Sequence, residues 1–208
     1  MTKFNLSIIT DDIVEVSVPD IKTAQHVAQG LRAFGDCIEV VPTRTTVAVM
    51  FSPSRISLKT LRLRIDEVFS TPPTAPSTPA GIVILPVQYG GEEGPDLELI
   101  ADQLETTPQK IVEVHSSQLF VVDLMGFTPG FAYLSELEWS VSRLDTPRPF
   151  VEAGSIGLAG RLSGIYSLQG PGGWPIIGRT THQLFDLNAD PPFLLKPGCA
   201  VRFQPVGS

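Results

Sequence analysis

Eight glycines fall within twenty-five residues: Gly154, Gly157, Gly160, Gly164, Gly170, Gly172, Gly173 and Gly178. That is more than ordinary strand packing requires. Glycine permits positive φ and the close approach of another backbone or a ligand, so the stretch reads as tight corners and bulges, as a backbone-lined surface for a ligand or partner, or as both at once. Its surroundings are strand-like. From Gln118 onward "QLFVVDLMGF", "GFAYL", "GSIGLAG", "SGIYSL", "WPIIGRT", "QLFDL" and "CAVRFQPV" are short apolar pieces bounded by turn residues, the spacing of a sandwich or closed barrel.

One part of the glycine stretch, Gly173 to Thr180, spells G-x-x-x-x-G-R-T, one residue away from a phosphate-binding loop. Such a loop must leave a strand, present successive backbone N–H groups and enter a helix. Pro175 has no N–H to give, Ile176 and Ile177 extend like a buried strand, no helical pattern follows Thr180, and arginine replaces the compact lysine ammonium. A strand and a turn are expected here, with Arg179 as an anion-binding side chain.

The remainder divides at a proline-rich run, "STPPTAPSTP" (70–79), which reads as a linker between a small α/β domain over 1–80 and a β-barrel domain over 81–208. In the first domain "FNLSIITDDIVEVSV" is strand-like. After Asp20, a candidate cap, Ile21, Ala24, Val27, Ala28 and Leu31 recur at helical spacing. "CIEVVPTRTTVAVMF" supplies two strand pieces, and Ile56, Leu61, Ile65, Val68 and Phe69 mark a second helix. If "GIVILPV" returns to this sheet, the order is β-α-β-β-α-β, an α+β, ferredoxin-like split βαβ layout. Two helices are expected ahead of the barrel, one near Pro95 and one restarting at Thr107-Pro108.

Several function classes drop out. Residues 1–80 hold eight acids and eight bases, leaving fourteen acids and seven bases for the rest. No basic stripe is present, so nucleic acid is not an expected partner. The start "MTKFNLSIITDD" lacks the build of a signal peptide and no apolar run is long enough to span a bilayer, so a cytoplasmic protein with no membrane association is expected. Cys37 and Cys199 form no C-x-x-C, and His26, His115 and His182 are scattered, so no metal site is expected.

Candidate chemistry remains in a few places. "GFTPGFAYL" (126–134) pairs glycines around a proline with three aromatics: either a turn with core aromatics or the floor of an apolar pocket. His115 stands beside Ser116-Ser117, but no G-x-S-x-G elbow accompanies it, so a satisfied structural histidine competes with a catalytic one. Glu92, Glu93, Asp96 and Glu98 read as a solvated helix start or, alternatively, as acid/base groups. Arg148 and Arg161 read as partners of local carboxylates or as anion binders.

Taken together, "YGGEEGPDLE", "VEVHSS", "GFTPGFAYL", "AGSIGLAG", "SGIY" and "PGGWPIIGRT" resemble the signature segments of the family of 5-oxoprolinase B subunits. That group is also labelled allophanate hydrolase subunit 1, carboxyltransferase subdomains C and D, or KipI-type kinase inhibitor. Glu152 and Ser167 stand where its usual motifs carry proline. The resemblance implies a cyclophilin-like barrel and a partner, the 5-oxoprolinase C subunit or allophanate hydrolase subunit 2 (KipA-like), with the 5-oxoprolinase A subunit as a third component. It implies ATP-dependent opening of 5-oxoproline by the complex, with no metal or biotin on this chain. Two alternatives come with it: a KipI-like inhibitor of a sensor histidine kinase, and a carboxyltransferase-type component of urea metabolism. The site then expected is a half-site. Arg179, Arg161 and His115 would carry catalysis, the glycine segment's N–H groups would serve as oxyanion donors, and Gly126, Phe127, Pro129, Gly130, Phe131, Tyr133, Gly154, Gly172, Gly173 and Trp174 would bind substrate.

Overall fold

The computed structural model describes residues 4–72 and 81–207, so most of the expected linker, from residue 73 on, lies outside the described residues. The chain forms two compact units, Met1–Thr78 and Pro79–Ser208.

The first unit is a four-stranded antiparallel sheet with two helices. Its strands are β1 (Asn5–Ile8), β2 (Ile13–Ser17), β3 (Cys37–Pro42) and β4 (Thr46–Phe51), in the order β1-β2-β4-β3. Helix α1 (Ile21–Phe34) starts where Asp20 accepts a hydrogen bond from Thr23 N–H at 2.7 Å, and ends at the left-handed Gly35. It buries Ala24, Val27, Ala28 and Leu31, four of the five residues picked out by periodicity. Helix α2 (Leu58–Ser70) is capped by Ser57 and buries Leu61, Ile65 and Val68. The alternation in β2 and β4 puts Val14, Val16, Val47 and Val49 into the same core. Gly30 is the point of closest approach between the helices, since a Cβ there would stand 2.7 Å from the Val68 methyls. His26 Nε2 lies 3.1 Å from Val68 O and 3.0 Å from Thr71 O, at the C-terminal end of α2.

One expectation fails in this unit. The segment after the linker does not return to the sheet. Its place beside β2 is held by β1, because "FNLSIITDDIVEVSV" is two strands rather than one, joined through a turn in which Thr10 Oγ1 donates to Asp12.

That segment is instead β5 (Val83–Tyr89), the first barrel strand of the second unit, with Leu85 and Val87 buried in the barrel. Next come α3 (Leu97–Gln103) and α4 (Pro108–Ser117), the latter capped by Thr107, then β6 (Phe120–Met125), β7 (Ala132–Val141), β8 (Arg148–Val151), β9 (Ser155–Ile165), β10 (Gly170–Gly172), β11 (Ile176–Arg179) and β12 (Ala200–Pro205). Six strands close a barrel in the order β11-β5-β12-β6-β7-β9, and β8 pairs with β10 as a separate two-stranded layer. Closure removes the free edges that an open sheet would expose. The seam between β5 and β12 is parallel, with Val83 opposite Val201 and Leu85 opposite Phe203. Ile100 and Ile111 carry α3 and α4 onto the barrel core with Phe120, Leu134, Ile156, Leu158 and Phe203. No helix among the described residues is long and apolar enough to cross a membrane.

Candidate functional site

The glycine-rich segment builds its feature by doubling back. Tyr166 N–H donates to Ser155 O at 2.9 Å and Gly154 N–H donates to Tyr166 O at 2.7 Å, so the two ends of β9 are bonded neighbours. The chain must therefore reverse between them, and Gly160 takes the positive φ of 55° for which glycine is suited. One arm of this hairpin pairs with β11 and the other with β7. Gly157 and Gly164 end up side by side on its outer face, and Trp174 lies across them. A Cβ on Gly157 would come within 2.9 Å of the Trp174 Cβ, and one on Gly164 within 2.8 Å of the indole and 2.9 Å of Phe131.

A second, small core grows on this outer face. Phe131, Val151, Tyr166 and Ile176 are buried together, with Trp174 6% exposed. Phe131 meets Tyr133, Tyr166 and Trp174 edge-on at centroid distances of 4.7, 5.0 and 5.8 Å, a geometry that aromatic quadrupoles favour. Gly172 sits directly against the Tyr166 hydroxyl, and Gly173 O accepts from Leu144 N–H at 2.9 Å. Asp96 clamps the layer to the barrel: its carboxylate accepts from Arg148 Nη1 and Nη2 at 2.7 and 2.6 Å and from Ile176 N–H at 2.6 Å. The Asp96 hydrogen bonds hold the Arg148 guanidinium above its usual pKa range. Asp96 is 5% exposed, so the expected solvated helix start does not hold for it.

The "GFTPGF" loop rises at the margin of this layer. Gly126 N–H donates to Phe131 O and closes the turn, and Pro129 O accepts from Ser167 Oγ at 2.5 Å. Gly130 has φ 81° and packs against Ser167 and Phe185. Phe127 is left-handed, at φ 73°, and 64% exposed, while the Thr128 hydroxyl oxygen is buried with no hydrogen-bond partner. A left-handed non-glycine residue costs about 1–2 kcal/mol, and costs of this kind collect at functional sites. Seven of the ten expected substrate-binding residues thus meet here: Phe127, Pro129, Gly130, Phe131, Tyr133, Gly172 and Trp174, with Gly126 and Gly173 as the adjoining backbone.

The expected catalytic residues are not brought together. Arg179 pairs with Glu93 at 3.1 Å near the base of the hairpin, where Gly154 packs against its stem and the Thr180 carbonyl. Arg161 pairs with Glu136 at 3.4 Å near the reversal, roughly 15–20 Å away at the rise of an extended strand. Gly154 N–H and Ser155 N–H are already spent on Tyr166 O and Glu152 O, so neither is a free oxyanion donor. His115 lies wholly inside the barrel, its Nδ1 2.8 Å from the Tyr89 hydroxyl and its Nε2 2.9 Å from Ser163 Oγ, stacked on Phe203. Burial drives its pKa down to about 3, so it is neutral and out of reach of a substrate in solvent. The structure thus places His115 in the barrel core with both ring nitrogens hydrogen-bonded.

Ile176–Arg179 is a strand with no helix after it, so the G-x-x-x-x-G-R-T string is not a phosphate loop. No group of three or more His, Cys, Asp or Glu that could hold a metal occurs among the described residues. Tyr166 and Arg143 belong to the layer although sequence reasoning did not single them out. Tyr166 sits in the "SGIY" motif, whereas Arg143 lies in a stretch with no motif to mark it.

Residues 6–195 match the model of the family described as "Carboxyltransferase domain, subdomain C and D". The chain is 36% identical over 193 residues, 91% of its length and 88% of the other's, to a protein of Escherichia coli O157:H7 named as the B subunit of 5-oxoprolinase. Among solved structures it superposes on TTHA0988 with a TM-score of 0.80 at 29% identity, covering 95% of this chain but 40% of that longer one. With the urea amidolyase of K. lactis it shares the fold, with a TM-score of 0.78 at 19% identity over 98% of this chain and 15% of that one.

Proposed function

The chain belongs to the carboxyltransferase-domain family of subdomains C and D, and from that premise we propose that it is the B-type subunit of a heteromeric, ATP-dependent 5-oxoprolinase. The complex opens 5-oxoproline to glutamate by hydrolysing a C–N bond. This chain contributes the outer face of a cyclophilin-like barrel as one wall of the substrate cavity. The other wall belongs to the C-type subunit, the allophanate hydrolase subunit 2 or KipA-like protein, and the A-type subunit supplies the third component. ATP is consumed by the complex, and this chain is inactive by itself.

The observation that carries the reading is convergence. Segments far apart in sequence, 126–133, 143–151, 157–166 and 172–176, gather around Trp174 on the outside of the barrel and leave the strained Phe127 pointing outward. A strained, exposed aromatic on a well-packed base is what a surface that closes on a second protein presents. That this module makes up 40% of the TTHA0988 chain supports a working unit larger than the module alone.

The test is reconstitution. Purified with its A-type and C-type partners, the protein should form glutamate from 5-oxoproline only when ATP is present, and the chain alone should form none. A complete trio that yields no glutamate overturns the assignment.

A further inference from the structure

The second unit has seven cations, and their pairing singles out one at the candidate site. Lys110, Arg148, Arg161 and Arg179 each face a carboxylate, those of Glu113, Asp96, Glu136 and Glu93. Arg202 stands on β12, opposite Ile84 of β5 and three strands round the barrel from β9, and Lys196 lies in the turn leading into β12. Arg143 is different. It has no carboxylate partner among the described residues, it is exposed, and its Cζ stands 5.9 Å from the Trp174 ring centroid. Leu144 N–H, bonded to Gly173 O at 2.9 Å, ties the next residue to the Trp174 turn.

A guanidinium over an indole is drawn electrostatically to the ring face, and its N–H groups remain available for two parallel bonds to a carboxylate. Beside it, burial raises the pKa of both the Tyr133 and the Tyr166 phenols, against the opposing pull of the Arg143 charge, so both keep their protons as hydrogen-bond donors. The ligand is a carboxylate rather than a phosphate, because one unpaired guanidinium matches a single negative charge and the unit around it is acidic.

We infer that Arg143 binds the carboxylate of a small amide acid whose ring lies against Phe127 and Tyr133. This rests on the reading of the outer face as the substrate wall. It assigns anion recognition to Arg143 in place of Arg161 and Arg179.

The full-length chain, isotopically labelled, is titrated with 5-oxoproline and with 2-pyrrolidone, the same lactam without its carboxylate. The indole N–H resonance of Trp174 is followed, with Trp139 as internal reference. We expect saturable binding of 5-oxoproline at least about tenfold tighter than of 2-pyrrolidone. Arg143→Ala should erase that difference, Arg143→Lys should restore part of it, and Arg202→Ala should leave it intact. No saturable shift, no preference for the carboxylate, or an Arg143→Ala chain that titrates like wild type each overturns the inference. The reconstituted complex separates it from the function proposed above. Glutamate formation with an unchanged KM in Arg143→Ala overturns the arginine assignment alone. A carboxylate preference lost in Arg143→Ala, in a complex that forms no glutamate, upholds the arginine and overturns the activity.

Discussion

The two sides of the β9 hairpin are built from the same dozen residues to opposite ends. Inward, Ile156, Leu158, Ser163 and Ile165 enter the barrel, and the one polar group among them is satisfied by His115, which is in turn satisfied by Tyr89. Outward, Gly157 and Gly164 offer no side chain at all, and the space is taken by Trp174 and Phe131 from elsewhere in the chain. The inner side holds polar atoms sealed from water, and the outer side holds apolar atoms bordered by the half-buried Tyr133 and the exposed Phe127 and Arg143. A buried, fully bonded histidine marks architecture. A strained, exposed phenylalanine at the margin of a well-packed aromatic layer is what the proposed partner-facing surface would present.

The largest expected effect comes from undoing the clamp between the two sides. Asp96→Ala leaves Arg148 and the Ile176 N–H without their acceptor and should cost about 3 kcal/mol, less than for a fully sealed pair because Arg148 reaches solvent. Urea unfolding followed by tryptophan fluorescence checks it, and an unchanged midpoint would mean that the outer layer does not depend on the barrel. Gly164→Ala drives a methyl into Trp174 and Phe131 and should cost about 1–3 kcal/mol, read as a lower Tm with a shifted Trp174 signal.

The inner side is tested by acid. His115 has a folded pKa of about 3, below the unfolded value of about 6.5, so below pH 6.5 the unfolded chain takes up a proton that the folded one refuses. Stability is complete above about pH 6.5 and falls as the pH drops toward 3, by roughly 1 kcal/mol per pH unit. His115→Gln should flatten that slope in denaturation curves between pH 7 and 5, and an equal slope in the variant would place the titrating group elsewhere. The smallest effect on stability belongs to the rim. Phe127→Gly relieves the left-handed backbone at the expense of chain entropy and should be neutral to about 1 kcal/mol stabilising. In the reconstituted complex the same variant should lose at least about tenfold in kcat/KM; unchanged turnover would reduce the loop to a structural ornament of the barrel.

Elements set by local chemistry were legible before the structure. The Asp20 cap, the helix restart at Thr107-Pro108, the apolar face of α1 and the Ile176–Arg179 strand follow from neighbours a few residues away. What could not be read depends on long reach. Asp96 looks like any acid at a helix start until Arg148, fifty-two residues on, takes both its oxygens. Gly157 and Gly164 look like corner residues until the reversal at Gly160 sets them side by side under Trp174. β5 carries the same alternation whether it joins the first sheet or the barrel, and pattern alone does not distinguish a strand's partners. Arg143 gave no signal because its significance lies in the carboxylate it lacks.

The parallel seam between β5 and β12 ties together stretches of chain more than a hundred residues apart. A ribosome making this protein must therefore deliver almost the whole second unit before its first strand gains that neighbour. Until then Leu85 and Val87 sit on an unsealed sheet, a form that invites aggregation and needs shelter. The barrel cannot close before β12 has left the ribosome.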